Sequence, residues 1–170
     1  AEALFNQNNY SDALYYLQSL QHDKQYRTRA IALINKINSV DAPQQAIALI
    51  KQGEHFLVNA NLSGIEVTLL IDTGATFSVL STAKYNQLAG TFNANYIQQR
   101  QLNTAGGQIT AAQYQFERLA IDQYEISDID FVITELNGQS TFDGLLGMNF
   151  LKHFKFSIDQ KNNLLFLTPK

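Results

Sequence analysis

The chain reads as a mainly β domain of one lobe preceded by a small α-helical segment, and three observations predict this class. Before Gly53, apolar residues recur at intervals of three and four, the helical period; after it they alternate, the period of a half-buried strand. Turn-forming residues then punctuate the second part at Asn61 to Gly64, Thr104 to Gly107 and Gln160 to Asn163. Between two of the apolar runs stands an acidic turn, Asp72-Thr73-Gly74-Ala75.

The helical part is built from three stretches: Leu14, Leu17 and Leu20; Ile31, Ile34 and Ile37; and Ala46, Leu49 and Ile50. Ser11 is placed to cap the first. Asp41 with Gln44, and Pro43 in the first turn, read as a capping box that opens the third, and Gly53 as its stop. The boundary is therefore expected at about residues 52 to 54, giving a helical segment over 1–53 and a β domain over 54–170. Asn8 to Leu14 resembles the turn and second helix of a tetratricopeptide repeat, with Ala13 where that repeat packs a small residue. Because Ala1 to Phe5 reads as already helical, the native chain is expected to extend further upstream, through more helices or a signal peptide.

In the β part, Phe56, Val58 and Ala60 alternate, as do Ile65, Val67, Leu69 and Ile71, which predicts a hairpin around Asn61 to Gly64. Asn61-Leu62-Ser63 also matches a glycosylation sequon, although a plain turn explains it. After the acidic turn comes the apolar run Phe77-Ser78-Val79-Leu80. Tyr96 to Asn103 and Gln108 to Ile121 read as strands joined by the glycine-rich turn Thr104-Ala105-Gly106-Gly107. Ser127 to Asp130 places two acids on one strand face; such a pair could hold a cation, but a solvated face is the simpler reading. Asp143-Gly144-Leu145-Leu146-Gly147 leads into a short amphipathic helix at Met148 to Leu151. Phe154 to Asp159 and Leu164 to Thr168 form a closing hairpin.

Composition narrows the chemistry. The 170 residues are 45% hydrophobic, enough for one domain with a core plus a small appendage. Eleven Phe and eight Tyr are expected to fill that core and line an apolar cleft. A net charge of −3 provides no electrostatic footprint for nucleic acid. No apolar run approaches the roughly 18 residues of a membrane helix. Cysteine is absent, so disulfides, thiolate metal sites and a Cys nucleophile are excluded. His22, His55 and His153 are far apart and lack zinc-hydrolase spacing, and they are expected at the surface or in packing roles. No metal or cofactor is expected.

An Asp between two apolar runs is at least half-buried, and a buried carboxylate is costly without a function or a partner. With Asp72-Thr73-Gly74-Ala75 and Leu145-Leu146-Gly147 in one chain, the sequence from about His55 to the end resembles the retropepsin-like aspartic proteases, viral, bacterial and eukaryotic. The resemblance implies a single-lobe acid-protease barrel in which the apolar-apolar-Gly strand passes beside the catalytic loop. It implies Asp72 as the catalytic residue, with Thr73, Gly74, Ala75 and Thr76 supporting the loop. It also makes the central hairpin a flap, with Thr104, Ala105, Gly106, Gly107 and Gln108 at its substrate-binding tip; adjacent glycines suit a tip that bends and approaches a peptide.

Aspartic proteolysis needs two carboxylates that share one proton and hold a water between them. This chain has one Asp-Thr-Gly and no Asp-Ser-Gly; Asp143 and Asp159 lie in different contexts. The site is therefore expected to form in a C2 homodimer, with Asp72 and its symmetry mate on the axis. By resemblance, Thr73 bonds across the interface and Gly74 permits close backbone approach. The C-terminal hairpin is the expected interface, since the start of the β domain runs out of the helical segment. Ala75, where pepsin-like enzymes carry Ser, removes a hydroxyl donor that would favour an ionised carboxylate, so a less acidic working range is expected; Thr76 or Ser78 could supply that bond instead. The substrate would be a peptide or protein, and the helices could bind a protein partner. Bacterial relatives with helical repeats suggest export to the periplasm, with the cytoplasm as the alternative. Two further readings stay open: a silent peptide-binding or interaction module, and a latent enzyme.

Overall fold

Ala13 and Leu17 lie one turn apart on α1 (Tyr10–Leu20) and are both buried, packed with Ala30 of α2 (Arg27–Asp41). This is the i, i+4 stripe of an amphipathic helix pair. The computed structural model describes residues 10–20, 23, 26–41, 46–88, 90–91, 93–104, 107–136 and 141–170. Leu20, Leu33 and Ile34 complete the small cluster. Ile31, expected on its apolar face, is exposed instead, because the burying face of α2 runs through Ala30, Leu33 and Ile34. Ser11 lies within α1 rather than ahead of it. Asn8, Asn9, His22, Pro43, Gln44 and Ala1 to Phe5 lie outside the described residues.

The third expected helix does not form. Ile47–Ala48 is strand β1 and Ile50–Gln52 strand β2, and burial alternates from Ile47 (buried) through Ala48 (exposed) and Leu49 (buried) to Ile50 (exposed). Strand pairing decides this: Ile47 faces Leu165, Ala48 faces Leu164, and the Leu49 N–H donates to the Asn163 carbonyl at 2.9 Å. Asp41 accordingly ends α2 instead of capping a new helix. Gly53 turns a two-residue hairpin, Gln52 opposite His55, with φ +59°, a conformation that glycine adopts without strain. The compact units are Ala1–Gln44 and Gln45–Lys170, so the boundary precedes the expected one because β1 and β2 belong to the β unit.

That unit contains β3 (His55–Leu62), β4 (Ile65–Ile71), β5 (Ser78–Ser81), β6 (Ala94–Thr104), β7 (Gly107–Ile121), β8 (Tyr124–Thr134) and β9 (Gly144–Leu146), followed by β10 (Phe154–Asp159) and β11 (Leu164–Pro169). The large sheet runs β2-β3-β4-β9-β5-β8-β7-β6, and β3 pairs again with β7 at Asn61–Ala120 and Leu62–Leu119. That second pairing closes six strands into a barrel, which removes the free edges between them. Phe116 and Phe131 meet edge to face at 5.4 Å inside, and Leu69, Leu80 and Leu146 pack around them without exposure. Burying side chains of this size stabilises the fold by about 1.5–3 kcal/mol each.

The expected hairpins are present. Ser63 and Gly64, both at positive φ, turn β3 into β4, and the Asn61 side chain accepts from the Gly64 N–H at 2.8 Å. β10 and β11 pair along their full length in a second sheet, β1-β11-β10. One helix escaped the sequence reading: α3 (Thr82–Gln87), whose Ser81 cap accepts from the Lys84 N–H at 3.1 Å. The short helix α4 (Met148–Leu151) follows Gly147 as expected.

Candidate active site

β9 is inserted parallel to β4 and antiparallel to β5, pairing Ile71 with Leu146 and Leu70 with Leu145. Asp72 therefore emerges where β4 and β9 end together, and its N–H donates to the Leu146 carbonyl at 3.0 Å. The turn closes on itself through the Ala75 N–H to the Asp72 carbonyl at 3.2 Å. The Gly74 N–H donates to the Asp72 carboxylate at 2.9 Å, which fixes the direction of that side chain. The first turn of α4 then clamps the loop: Met148 N–H reaches the Ala75 carbonyl at 2.7 Å and Asn149 N–H the Thr76 carbonyl at 3.0 Å. Both helix donors would otherwise be unsatisfied.

Gly147 is required by contact. A Cβ there would lie 2.5 Å from the Phe77 carbonyl, backbone that cannot step aside. Leu146 points into the core and Leu145 into the cleft, so the expected motif divides between packing and lining. Asp72 is half-buried, and Thr73, Gly74 and Thr76 are exposed.

Ser78 does not serve the Asp72 carboxylate. Its hydroxyl, fully buried, donates to Asn149 Oδ1 at 2.8 Å and accepts from the Gly147 N–H at 3.1 Å. The Ser78 N–H donates to the same Asn149 oxygen at 2.8 Å, while Asn149 Nδ2 donates to the Asp130 carbonyl at 2.7 Å. Neither Asn149 nor this network was singled out from the sequence. The available signal was an amide in the apolar run Leu145 to Leu151.

A cleft of about 680 Å³ lies over the loop, between Asp72 and the segment Arg100 to Thr104 of β6. Of the expected flap tip, Thr104 lines it and donates its hydroxyl to the Gly107 carbonyl at 2.8 Å. Gly107 and Gln108 are exposed and pair with β6, and Ala105 and Gly106 lie outside the described residues. Arg100, unremarked in the sequence, contributes the cleft's cation. Its guanidinium lies 4.5 Å from the centre of the Phe77 ring, and its Nε donates to Gln113 Oε1 at 2.7 Å. Gln113, also buried, passes its own amide N–H to Asp130 Oδ2 at 2.8 Å.

The other acids have separate employment. Asp143 accepts from the Thr68 N–H at 2.9 Å and pairs with Lys84 at 3.2 Å. Asp159 accepts from the Asn162 side chain at 2.7 Å and from the N–H groups of Asn162 and Lys161, which hold its carboxyl below the ordinary value. Among the described residues, no cluster of three or more potential metal ligands occurs, Asp128 and Asp130 included. His55 and His153 are exposed. No helix among the described residues is long and apolar enough to cross a membrane.

The family model of the gag-polyprotein putative aspartyl protease matches residues 58–153, a span that begins in β3 and contains both the Asp72 turn and the Leu145-Leu146-Gly147 motif. The solved structure of a retropepsin-like aspartic protease from Rickettsia conorii is 30% identical, with 72% of this chain and 87% of that chain covered and a TM-score of 0.53. No curated protein matches. A closed barrel that presents one Asp-Thr-Gly turn against an apolar-apolar-Gly strand agrees with both matches: the chain belongs to the retropepsin-like aspartyl protease family.

Proposed function

We propose that the chain is an aspartic endopeptidase that cleaves peptide bonds with a water held between Asp72 and the Asp72 of a second copy. The observation that carries this is the Asp72 carboxylate, aimed by the Gly74 N–H into a cleft beneath β6. One carboxylate takes the proton of the attacking water while the other, protonated, donates to the peptide carbonyl oxygen; their shared proton keeps two close charges from coexisting. Asp143 and Asp159 are committed elsewhere, so a second copy must complete the pair. The exposed Thr73 is the residue we assign to the bond across the two-fold axis.

For the interface we favour β11. The apolar strands of the C-terminal hairpin, β10 and β11, pair along their full length and offer a second copy a ready-made surface. We assign a protein partner to the helical unit, on the exposed rings of Tyr15 and Tyr16, and an exported, periplasmic location to the protein. A latent monomer is the second reading, favoured by the single Asp72 per chain.

Incubation with a diverse peptide library across pH should give cleavage that is lost in Asp72→Asn and blocked by a statine-type inhibitor, with a dimer in solution. The optimum should lie above the strongly acidic range of pepsin-like enzymes, since Ala75 offers no hydroxyl. Cleavage that persists in Asp72→Asn, or by a strict monomer, would overturn the proposal.

A further inference from the structure

Among the described residues, Arg100 and Asp72 are the charged side chains that line the cleft. They are not an ion pair: among the described residues, no carboxylate lies within ion-pair distance of Arg100. The guanidinium is instead fixed at two points. Its Cζ lies over the Phe77 ring, 4.5 Å from the ring centre, and its Nε is taken by Gln113 Oε1 at 2.7 Å. Gln113 is only 2% exposed and is itself held by Asp130 Oδ2 and by a second donor, Gln98 Nε2, at 3.1 Å. A planar guanidinium anchored at Nε and set over an aromatic ring keeps its Nη edge for a ligand, and two parallel N–H groups on that edge match a carboxylate in bidentate fashion.

We propose that Arg100 forms an acidic-residue subsite: the cleft selects peptides carrying a glutamate or aspartate side chain at one position near the scissile bond. The inference rests on the cleft being a peptide-binding site, as proposed above. The part-buried chain Arg100–Gln113–Asp130 links the cation to an acidic side chain, and among the described residues no hydrogen bond uses its Nη groups, so the arginine is held in place yet unspent. The Phe77 ring beneath the guanidinium adds a cation–π contact that holds it in place. Since the Asp72 pair would hold one proton, its residual charge opposes an acidic side chain placed beside it; the selected position is therefore displaced from the scissile bond toward Phe77.

The test uses the full chain carrying Asp72→Asn, so that binding is read without turnover. C-terminally amidated octapeptides, with Glu, Gln or Lys scanned through each position, are titrated by calorimetry. At one position Glu should bind about tenfold tighter than Gln, a preference that falls with added salt. In Arg100→Gln that preference should vanish, and in Arg100→Glu it should invert toward Lys, which mere loss of packing cannot produce. Free-acid octapeptides lacking Glu serve as the other arm; a preference for these alone would assign the arginine to a chain terminus and overturn the side-chain subsite. No Glu preference at any position, no binding at all, or a preference that survives Arg100→Gln would also overturn it. Selective binding by Asp72→Asn in a protein whose Asp72 form cleaves nothing would leave the subsite standing and remove the protease. Cleavage by the Asp72 form without acidic preference would do the reverse.

Discussion

The N–H of Asp72 donates to the carbonyl of Leu146 at 3.0 Å, so the acidic turn and the apolar-Gly motif, far apart in sequence, form one rigid unit. The position of the carboxylate is set as much by β9 and α4 as by its own turn. Perturbing either segment should therefore move the site.

Gly147→Ala is the sharpest such perturbation. The added methyl would meet the Phe77 carbonyl at 2.5 Å, and a backbone obstruction in a packed barrel should cost about 3 kcal/mol. Chemical denaturation is expected to show that loss, with cleavage falling in the variant's folded fraction because the Asp72 loop is displaced.

Asn149→Ala should lower stability by about 2 kcal/mol, because it leaves the buried Ser78 hydroxyl and N–H without their acceptor. The double variant with Ser78→Ala should lose less than the sum of the two single changes, since the hydroxyl left unpaired by the first is removed by the second. A thermodynamic cycle of the four proteins measures this.

Removing the chain up to residue 44 should leave a folded β unit, whereas removal up to residue 53 also takes β1 and β2. The longer deletion exposes what Ile47 and Leu49, each 7% exposed, now cover, and should cost about 3–5 kcal/mol. Comparing the denaturation midpoints of the two truncated chains checks the boundary.

The β10–β11 turn should be acid-sensitive. Asp159 has a folded pKa lowered below the ordinary carboxylate value by the Asn162 side-chain and backbone bonds, so its stabilising contribution is present above that ordinary value and is lost as pH falls through the lower folded one. Asp159→Asn should be less stable than the parent at neutral pH, and the difference should close on acidification. Tyr85 acts at the other extreme: burial and the Tyr114 hydroxyl raise it to about 12, so its neutral form supports the fold below pH 10 and that support fades as pH rises toward 12. Tyr85→Phe cannot ionise and escapes this loss, so thermal melts should show the variant gaining stability relative to the parent as pH rises from 10 toward 12.

How far the fold can be read from residues alone depends on the range of the interactions. The β3–β4 hairpin, the Asp72 turn, the β6–β7 hairpin and the C-terminal hairpin all follow from neighbours in sequence: alternation of apolar residues and the turn chemistry of Gly, Asn and Asp between them. Residues 46 to 50 fit both periods, with Ala46, Leu49 and Ile50 spaced for a helix and Ile47 and Leu49 spaced for a strand. Only pairing with Leu164 and Leu165 selects the strand. A partner more than a hundred residues away leaves no mark in a local pattern.

The site divides along the same line. Asp72, Thr73, Gly74 and the Leu145-Leu146-Gly147 motif are local words, and they suffice to indicate the family. Arg100, Gln113, Asp130, Asn149 and Ser78 come from four strands and a helix and look like ordinary polar positions when taken singly. The barrel closure brings them together, and burial makes each polar group find a partner. The acidic turn is legible in the sequence because its residues are consecutive and one turn holds them. What surrounds Asp72, and which cation shares its cleft, was decided by tertiary structure, since hydrogen-bond partners inside a closed barrel are fixed by register and not by spacing along the chain.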